Sequence, residues 1–394
     1  MAQSRVSATA RAVPVVVAPL VALLAGCAHT PEPPPLPPPR PVTQDEVARA
    51  ITDKVKDRDG WADDILVAIR RTGKEPTAER ACAVIAVIGQ ESSFVPDPAV
   101  PELPRIVQDG LNDKLAPLGP LAAPALAAVL QGKAPGSSST FGERIDGLKT
   151  ERDLDRLFSD IAAAYRAQAP GTFAVASALS LLLGKGSFED RNPVTTAGSM
   201  QVKVSFARDL GGSEGKDDAE IRELLYTRGG GVRFGTARLI GYPASYDDVT
   251  FRFADYNAGV YASRNAAFQA MLGDVTGVAL VSDGDLLAWD QDGDVKDLET
   301  NTLRALRAFG AAHGLSSWTI NGDAKKEKSA AFEQTKTWQA VRDAWEKKTG
   351  KPASYARIPD VALSSPKLRA PRTTAWFAAS VRKRYDACRA RLPP

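Results

Sequence analysis

The sequence predicts a mainly α-helical protein. Apolar residues recur at the three- and four-residue spacing of helices that face a core, in runs rich in alanine and leucine. Two of these runs begin after a threonine that can cap a helix, Thr43 and Thr77. Prolines and glycines separate the runs. The roughly 350 residues after the first forty are enough for one large or two moderate domains.

The N-terminal segment 1–26 has the layout of an export signal. It contains two arginines, no acidic residue, and an apolar stretch over 12–24. That stretch is too short for a permanent membrane span, and Pro14 and Pro19 interrupt it. We therefore predict a signal peptide at 1–26 rather than a membrane anchor.

Residues 24–27, Leu-Ala-Gly-Cys, resemble the bacterial lipobox. In such sequences a peptidase cuts before the cysteine, and acyl chains on it hold the protein in a membrane at roughly 0.8 kcal/mol per buried CH2 group. The resemblance implies that Cys27 is lipidated. Ala28 rather than aspartate after it implies sorting to the outer membrane, where we expect the periplasmic face. Eight prolines within 31–41 favour an extended spacer, so 27–42 is predicted to be a tether.

Charge and histidine content exclude several classes of protein. The net charge is +3, and subtracting the two arginines of the signal leaves +1, so a nucleic-acid-binding surface is not expected. The two histidines, His29 and His313, do not favour a histidine metal site or a Ser-His-Asp triad. Residues 290–294 carry calcium-like carboxylates, but their glycine lies one position too early for an EF-hand. We predict no metal and no cofactor.

Cys82 and Cys388 remain if Cys27 carries lipid. An oxidising periplasm allows these two residues to form a disulfide. Such a bond would join the C-terminal helix to the helix that precedes Glu91. The alternative is two buried thiols on apolar faces, and thiol quantitation of the denatured protein distinguishes the two states.

Glu91 lies at the end of a nearly all-apolar run. The residues from 81 to 88 follow the cap at Thr77 and predict a helix that is buried on most sides. Four prolines between 96 and 104 prevent its continuation. The negative end of the helix dipole and apolar neighbours disfavour a charged carboxylate, so the pKa of Glu91 is expected to be raised. Glycosidic-bond cleavage requires such a protonated acid.

Three short motifs look like those of soluble lytic transglycosylases, in the same order: Glu91-Ser92, Gly198-Ser199-Met200-Gln201-Val202 and Tyr256-Asn257-Ala258-Gly259. The resemblance implies a lysozyme-like core over 42–94 and 190–275. It also implies that Glu91 acts as the acid and then the base, and that Ser92 orients it or a sugar group.

The other two motifs would build the cleft around the acid. By resemblance, Gly198 permits close backbone approach, while Met200 and Gln201 line the cleft beside the glycan. Tyr256 would stack or hydrogen-bond near the acid, and Asn257 would hold the cleft wall or an N-acetyl group. For Met200 and Tyr256, packing in the core is the alternative.

In that family the N-acetyl group of the substrate stabilises the oxocarbenium-like state, and the sugar's 6-hydroxyl replaces water. The product is a 1,6-anhydromuramoyl end, and no second carboxylate is required. A hydrolase would instead need a partner carboxylate roughly 5–10 Å from the acid. Asp255, Glu189 and Asp190 are candidates because they lie close to the motifs along the chain.

The spacing of the first two motifs departs from the family. Glu91 and Gly198 lie 107 positions apart, and helical patterns fill about 105–190. We predict a mainly α lysozyme-like domain over 43–275 with this helical insertion, followed by a helical C-terminal region over 276–394. If the insertion covers the groove, the fold serves recognition instead of catalysis.

The whole chain is also similar to the YaiW-like outer-membrane lipoproteins, a group without an assigned biochemical role. We predict a lipid-anchored murein lytic transglycosylase whose partners are peptidoglycan glycan strands and the membrane that holds its lipid. The alternative is a non-catalytic envelope lipoprotein that binds glycan or a protein through the same cleft. Trp338, Trp345 and Trp376 would then form a partner surface, unless they are buried.

Overall fold

The structure is a computed structural model that describes residues 40–167, 192–212, 214–246, 248–290, 294–363 and 371–393. The prediction of a mainly α-helical protein is confirmed, since strands in the described residues form only two short antiparallel pairs. The predicted signal peptide and Cys27 lie outside the described residues. Within the described part of the chain, no helix has the length and apolar character that a membrane crossing requires.

Three helices open the described chain: α1 (Gln44–Ala50), α2 (Arg58–Arg71) and α3 (Ala78–Glu91). Thr43 and Glu46 form a capping box at the start of α1. Thr77 caps α3 by accepting a hydrogen bond from a backbone N–H of the first turn. All side chains from 81 to 88 are buried, so α3 runs through the core and ends at Glu91.

The region of the predicted insertion is helical as far as it is described. Its helices are α4 (Leu103–Leu115), α5 (Ala122–Gln131), α6 (Phe141–Asp146) and α7 (Glu151–Ala167), with a 3-10 helix at Ala116–Leu121. They bury a small cluster of their own around Leu103, Phe141, Ile145 and Leu157. The rest of the predicted insertion, 168–190, lies outside the described residues.

The chain then enters the main core again. Strands β1 (Thr196–Ala197) and β2 (Val202–Lys203) pair antiparallel, with Thr196 opposite Lys203. The helices that follow are α8 (Val204–Gly212), α9 (Asp218–Leu225), α10 (Arg228–Ile240) and α11 (Val249–Ala258). Phe234 of α10 and Phe253 of α11 are fully buried in the same cluster as the apolar side of α3.

The C-terminal part begins with α12 (Ala262–Thr276), and its later elements are α13 (Asn301–Ala312), α14 (Ser317–Ala324), a 3-10 helix (Ala330–Gln334), α15 (Lys336–Thr349), β3 (Ala362–Leu363), β4 (Arg372–Thr373) and α16 (Thr374–Arg389). A second core forms around Trp338, which stacks on Phe268 with ring centroids 5.2 Å apart. Trp338 is therefore a packing residue. Trp345 is half-buried, and Trp376 remains 38% exposed.

The two cores do not divide where the sequence predicts a boundary, near residue 275. Phe268 and Leu272 of α12 belong to the second core, although they precede that position. Conversely, Phe377 and Val381 of the last helix, α16, belong to the first core. The last helix therefore packs with the elements that carry the motifs.

Cys82 of α3 and Cys388 of α16 form a disulfide with a Cα–Cα distance of 5.5 Å. This is the pair considered from the sequence, and its two residues are 306 positions apart. Phe253 of α11 meets Tyr385 of α16 edge-on, with ring centroids 6.0 Å apart. The bond and this contact attach the end of the chain to the helices that end in the first and third motifs.

Candidate functional site

Glu91 is half-buried at the last position of α3. The chain turns sharply after it, because Ser93 and Phe94 adopt left-handed backbone conformations with φ of 52° and 66°. A bulky residue in that conformation costs on the order of 1–3 kcal/mol. Burial of Phe94 against Trp61, with ring centroids 5.2 Å apart, stabilises the turn. The end of α3 is thus held by packing against α2.

Ser92 does not present its hydroxyl to a cleft. The hydroxyl donates to the backbone carbonyl of Ile88 at 3.2 Å, and the residue is buried. Ser92 therefore completes the last turn of α3. The role implied for it, orienting the acid or a sugar group, has no supporting contact in the described residues.

Tyr256 lies within electrostatic range of Glu91. Burial raises the pKa of the Tyr256 hydroxyl strongly, and the negative charge of Glu91 raises it further, against the opposite effect of Arg238. The hydroxyl donates to the backbone carbonyl of Met200 at 2.6 Å. The hydrogen bond therefore joins the third motif to the backbone of the second, and the charge of Glu91 acts on the same tyrosine.

Met200 does not line a cleft, which corrects the role expected from the resemblance. Its side chain is fully buried, and it packs so tightly over Gly235 that a Cβ at that glycine would overlap it. Tyr256 is likewise buried, so its ring is not available to stack on a sugar. Both residues shape the site from within the core.

Gly198 has a structural reason to be glycine. Its φ is +80°, and a Cβ there would overlap the carbonyl oxygen of Leu225 at the end of α9. The Gly198 carbonyl accepts the backbone N–H of Gln201 at 3.0 Å, which closes the turn between β1 and β2. The close approach is therefore made to this protein's own backbone.

The side chain of Gln201 forms a hydrogen bond with the insertion, so its amide is not free to contact a glycan. Its amide nitrogen donates to a carboxylate oxygen of Glu151 at 2.9 Å, and its amide oxygen accepts the Thr196 hydroxyl at 3.1 Å. Glu151 is the first residue of α7 and is itself buried. A buried carboxylate needs such donors, so the insertion and the second motif hold each other.

The last helix contacts both other motifs. Asn257 accepts the hydroxyl of Thr374 at 2.9 Å, and Gln90 accepts the hydroxyl of Ser380 at the same distance. Asn257 is therefore fixed by α16, and its amide NH2 makes none of these contacts. Neither contact is predicted from the sequence. The signal that could have found them is the cysteine pair, which brings Cys388 and its helix to α3.

Asp255 is not a second carboxylate in a cleft. It is fully buried, and it accepts hydrogen bonds from the hydroxyls of Tyr242 and Tyr246 and from the backbone N–H of Ser263 at 2.6 Å. Burial raises its pKa while these donors oppose the rise. The other two candidates, Glu189 and Asp190, lie outside the described residues.

A cavity of about 950 Å³ lies beside the motifs, and Glu91 does not line it. Its walls include Lys203, directly after the second motif, and Gly259, the end of the third. Arg238 also lines it and donates to the Tyr256 carbonyl from Nη2 at 3.1 Å and Nε at 3.3 Å. The backbone of Tyr256 is therefore bonded to a residue that lines the cavity.

The acidic stretch 290–294 lies partly outside the described residues. Asp290 accepts the backbone N–H of Asp294 at 2.8 Å. Across the described ranges, no group of three or more histidine, cysteine, aspartate or glutamate side chains is arranged to hold a metal ion.

Comparison with known proteins gives a family and one close relative. Residues 54–391 match the family described as "Protein of unknown function (DUF1615)". The chain is similar to the "Uncharacterized protein YaiW" of Escherichia coli (strain K12), with 37% identity over 378 residues, which cover 93% of this chain and 95% of the relative. No solved structure matches the chain. Neither description names an activity.

Proposed function

The chain belongs to the DUF1615 family, and we propose that it is a lipid-anchored envelope protein that cleaves the MurNAc–GlcNAc bond of peptidoglycan by lytic transglycosylation. Glu91 is the proposed acid and base. Cys27 is the proposed site of the lipid that holds the protein at the outer membrane. The fold proposed for the main core is lysozyme-like.

The main support for the proposal is that the charge of Glu91 acts on the pKa of Tyr256, and that the Tyr256 hydroxyl donates to the backbone carbonyl of Met200. These residues come from three motifs that are separated by more than a hundred and by about fifty positions. Glu91 is also half-buried at the C-terminal end of α3, where the helix dipole is negative.

In the proposed reaction, Glu91 gives its proton to the glycosidic oxygen as the bond from that oxygen to C1 of MurNAc breaks. The N-acetyl oxygen of the same sugar bonds to C1 and stabilises the positive charge. The 6-hydroxyl of MurNAc then attacks C1, displaces the N-acetyl oxygen and returns its proton to Glu91. No water is consumed, and the product is a 1,6-anhydro sugar.

The environment of Asp255 is compatible with this reaction. A hydrolase needs a second carboxylate on the far side of the sugar, roughly 5–10 Å from the acid. Asp255 is the described candidate, and three donors already occupy it inside the core. A mechanism that uses the N-acetyl group of the substrate does not require such a partner.

The alternative function is a non-catalytic protein that binds glycan or a protein partner. The hydrogen bond from Gln201 to Glu151 favours it. Glu151 belongs to the insertion, and it binds the amide group of Gln201 that the proposed enzyme would use to contact the glycan. In that case the core would serve recognition alone.

Digestion of purified sacculi with the full-length protein distinguishes these functions. We expect soluble muropeptides with 1,6-anhydro ends, identified by mass spectrometry. Release of ordinary reducing ends would indicate a hydrolase and contradict the proposed reaction. Sedimentation of the protein with sacculi, without release of fragments, would support the binding protein instead.

A further inference from the structure

The cavity beside Tyr256 brings together cations from three parts of the chain. Lys203 follows the second motif, Arg238 lies on α10, and Lys328 lies between α14 and the following 3-10 helix. Lys203 keeps part of its surface accessible to solvent, although neighbouring atoms cover much of the side chain. Its surroundings lower its pKa through desolvation, and the charges of Arg238 and Lys328 lower it further. The charge of Asp285 opposes this effect, and all four side chains line the same cavity.

Within the described residues, some of the cations that line the cavity are paired with its carboxylates, and others are not. Five cationic and four acidic side chains line the cavity, so the net charge alone does not select an anion. However, Glu214 pairs with Arg233, and Asp285 pairs with Lys328 at 2.5 Å. Neither Lys203 nor Arg238 forms an ion pair with a carboxylate in the part of the chain that the structure describes.

Arg238 is held in place with donors to spare. Nε and Nη2 donate to the Tyr256 carbonyl, and the guanidinium carbon lies 5.5 Å from the centroid of the Tyr256 ring and 5.8 Å from that of Phe206. Nη1 makes no hydrogen bond to the described residues. A guanidinium fixed between rings loses little entropy when it binds a carboxylate or a phosphate.

Lys328 has an aromatic neighbour that suits an organic ligand. Its ammonium lies 5.3 Å from the centroid of the Trp289 ring. The indole N–H of Trp289 is fixed by the buried carboxylate of Glu327. Trp289 also lines the cavity. A rigid aromatic ring beside cations favours a ligand with an apolar part and a carboxylate over a small inorganic ion.

We propose that this cavity binds a carboxylate of the peptidoglycan stem peptide through Lys203, Arg238 and Lys328. The identity of the ligand rests on the proposed function, since MurNAc carries that peptide and Arg238 at the cavity wall binds the backbone carbonyl of Tyr256 in the third motif. The volume of about 950 Å³ accommodates several peptide residues.

The test is calorimetric titration of the full-length protein with a soluble stem tetrapeptide. We expect saturable binding that weakens at least about tenfold for K203Q, since one charge-assisted contact is lost. K203R should retain binding. K347Q is the matched control, because Lys347 is an exposed lysine of α15 that does not line the cavity. Two control ligands are titrated in the same way. Inorganic phosphate tests whether any small anion binds, and a tetrapeptide with amidated carboxyls tests whether the carboxylates are required.

Each outcome decides the inference. Weak binding of the amidated peptide and unchanged binding by K347Q support it. Absence of tetrapeptide binding, equal binding by K203Q, or stronger binding of phosphate than of peptide overturns it. Cleavage of sacculi without peptide binding would contradict the proposed peptide site but would still support the proposed function. Peptide binding without cleavage would contradict the proposed enzymatic activity and would support the cavity as a peptide-binding site.

Discussion

E91Q should reduce the initial rate at which fragments are released from sacculi by at least about a hundredfold. Glutamine has nearly the same size and can still form hydrogen bonds beside Tyr256. It cannot give a proton to the glycosidic oxygen or take one from the 6-hydroxyl. The measurement is the initial rate of muropeptide release at equal protein concentration.

E79Q is the matched control for this substitution. Glu79 lies in the first turn of the same helix, α3, and is exposed. Its loss weakens a favourable interaction with the helix dipole by about 0.3–1 kcal/mol, so activity should stay within a factor of about two. If E91Q keeps most of its activity while its thermal unfolding matches the wild type, Glu91 is not the acid.

C388A should lower the free energy of unfolding by roughly 2–5 kcal/mol. The disulfide to Cys82 closes a loop of 306 positions, so its loss releases a large conformational freedom in the unfolded chain. Urea unfolding without reductant measures the difference. The helix that is freed also holds Asn257 and Gln90, so activity near the unfolding midpoint should fall together with stability.

Reduction of the wild-type protein provides the control for this second prediction. With reductant, the wild type should lose about the same stability as C388A, and C388A should not change further. Equal stability of the two proteins in the absence of reductant would show that α16 is held by packing alone.

The features near Glu91 that the sequence predicts depend on local chemistry. Thr77 caps α3 because its hydroxyl reaches the backbone of the first turn, and the apolar run after it must be buried. The helix ends at Glu91 before a segment rich in proline. Each of these signals lies within a few residues of the feature that it specifies.

The parts that could not be predicted depend on contacts between distant positions. Nothing near Met200 indicates that Gly235 leaves room for its side chain, and nothing near Gln201 indicates the bond to Glu151. The sequence also places α16 in a separate C-terminal region, whereas its apolar residues complete the first core. Only the cysteine pair carries a long-range signal that the sequence itself displays.

The structure of the full-length E91Q protein with a bound glycan oligosaccharide tests the central claim most directly. We expect a MurNAc–GlcNAc linkage whose bridging oxygen lies within hydrogen-bonding distance of the side chain at position 91. An oligosaccharide bound elsewhere, with no sugar oxygen near that side chain, would contradict it.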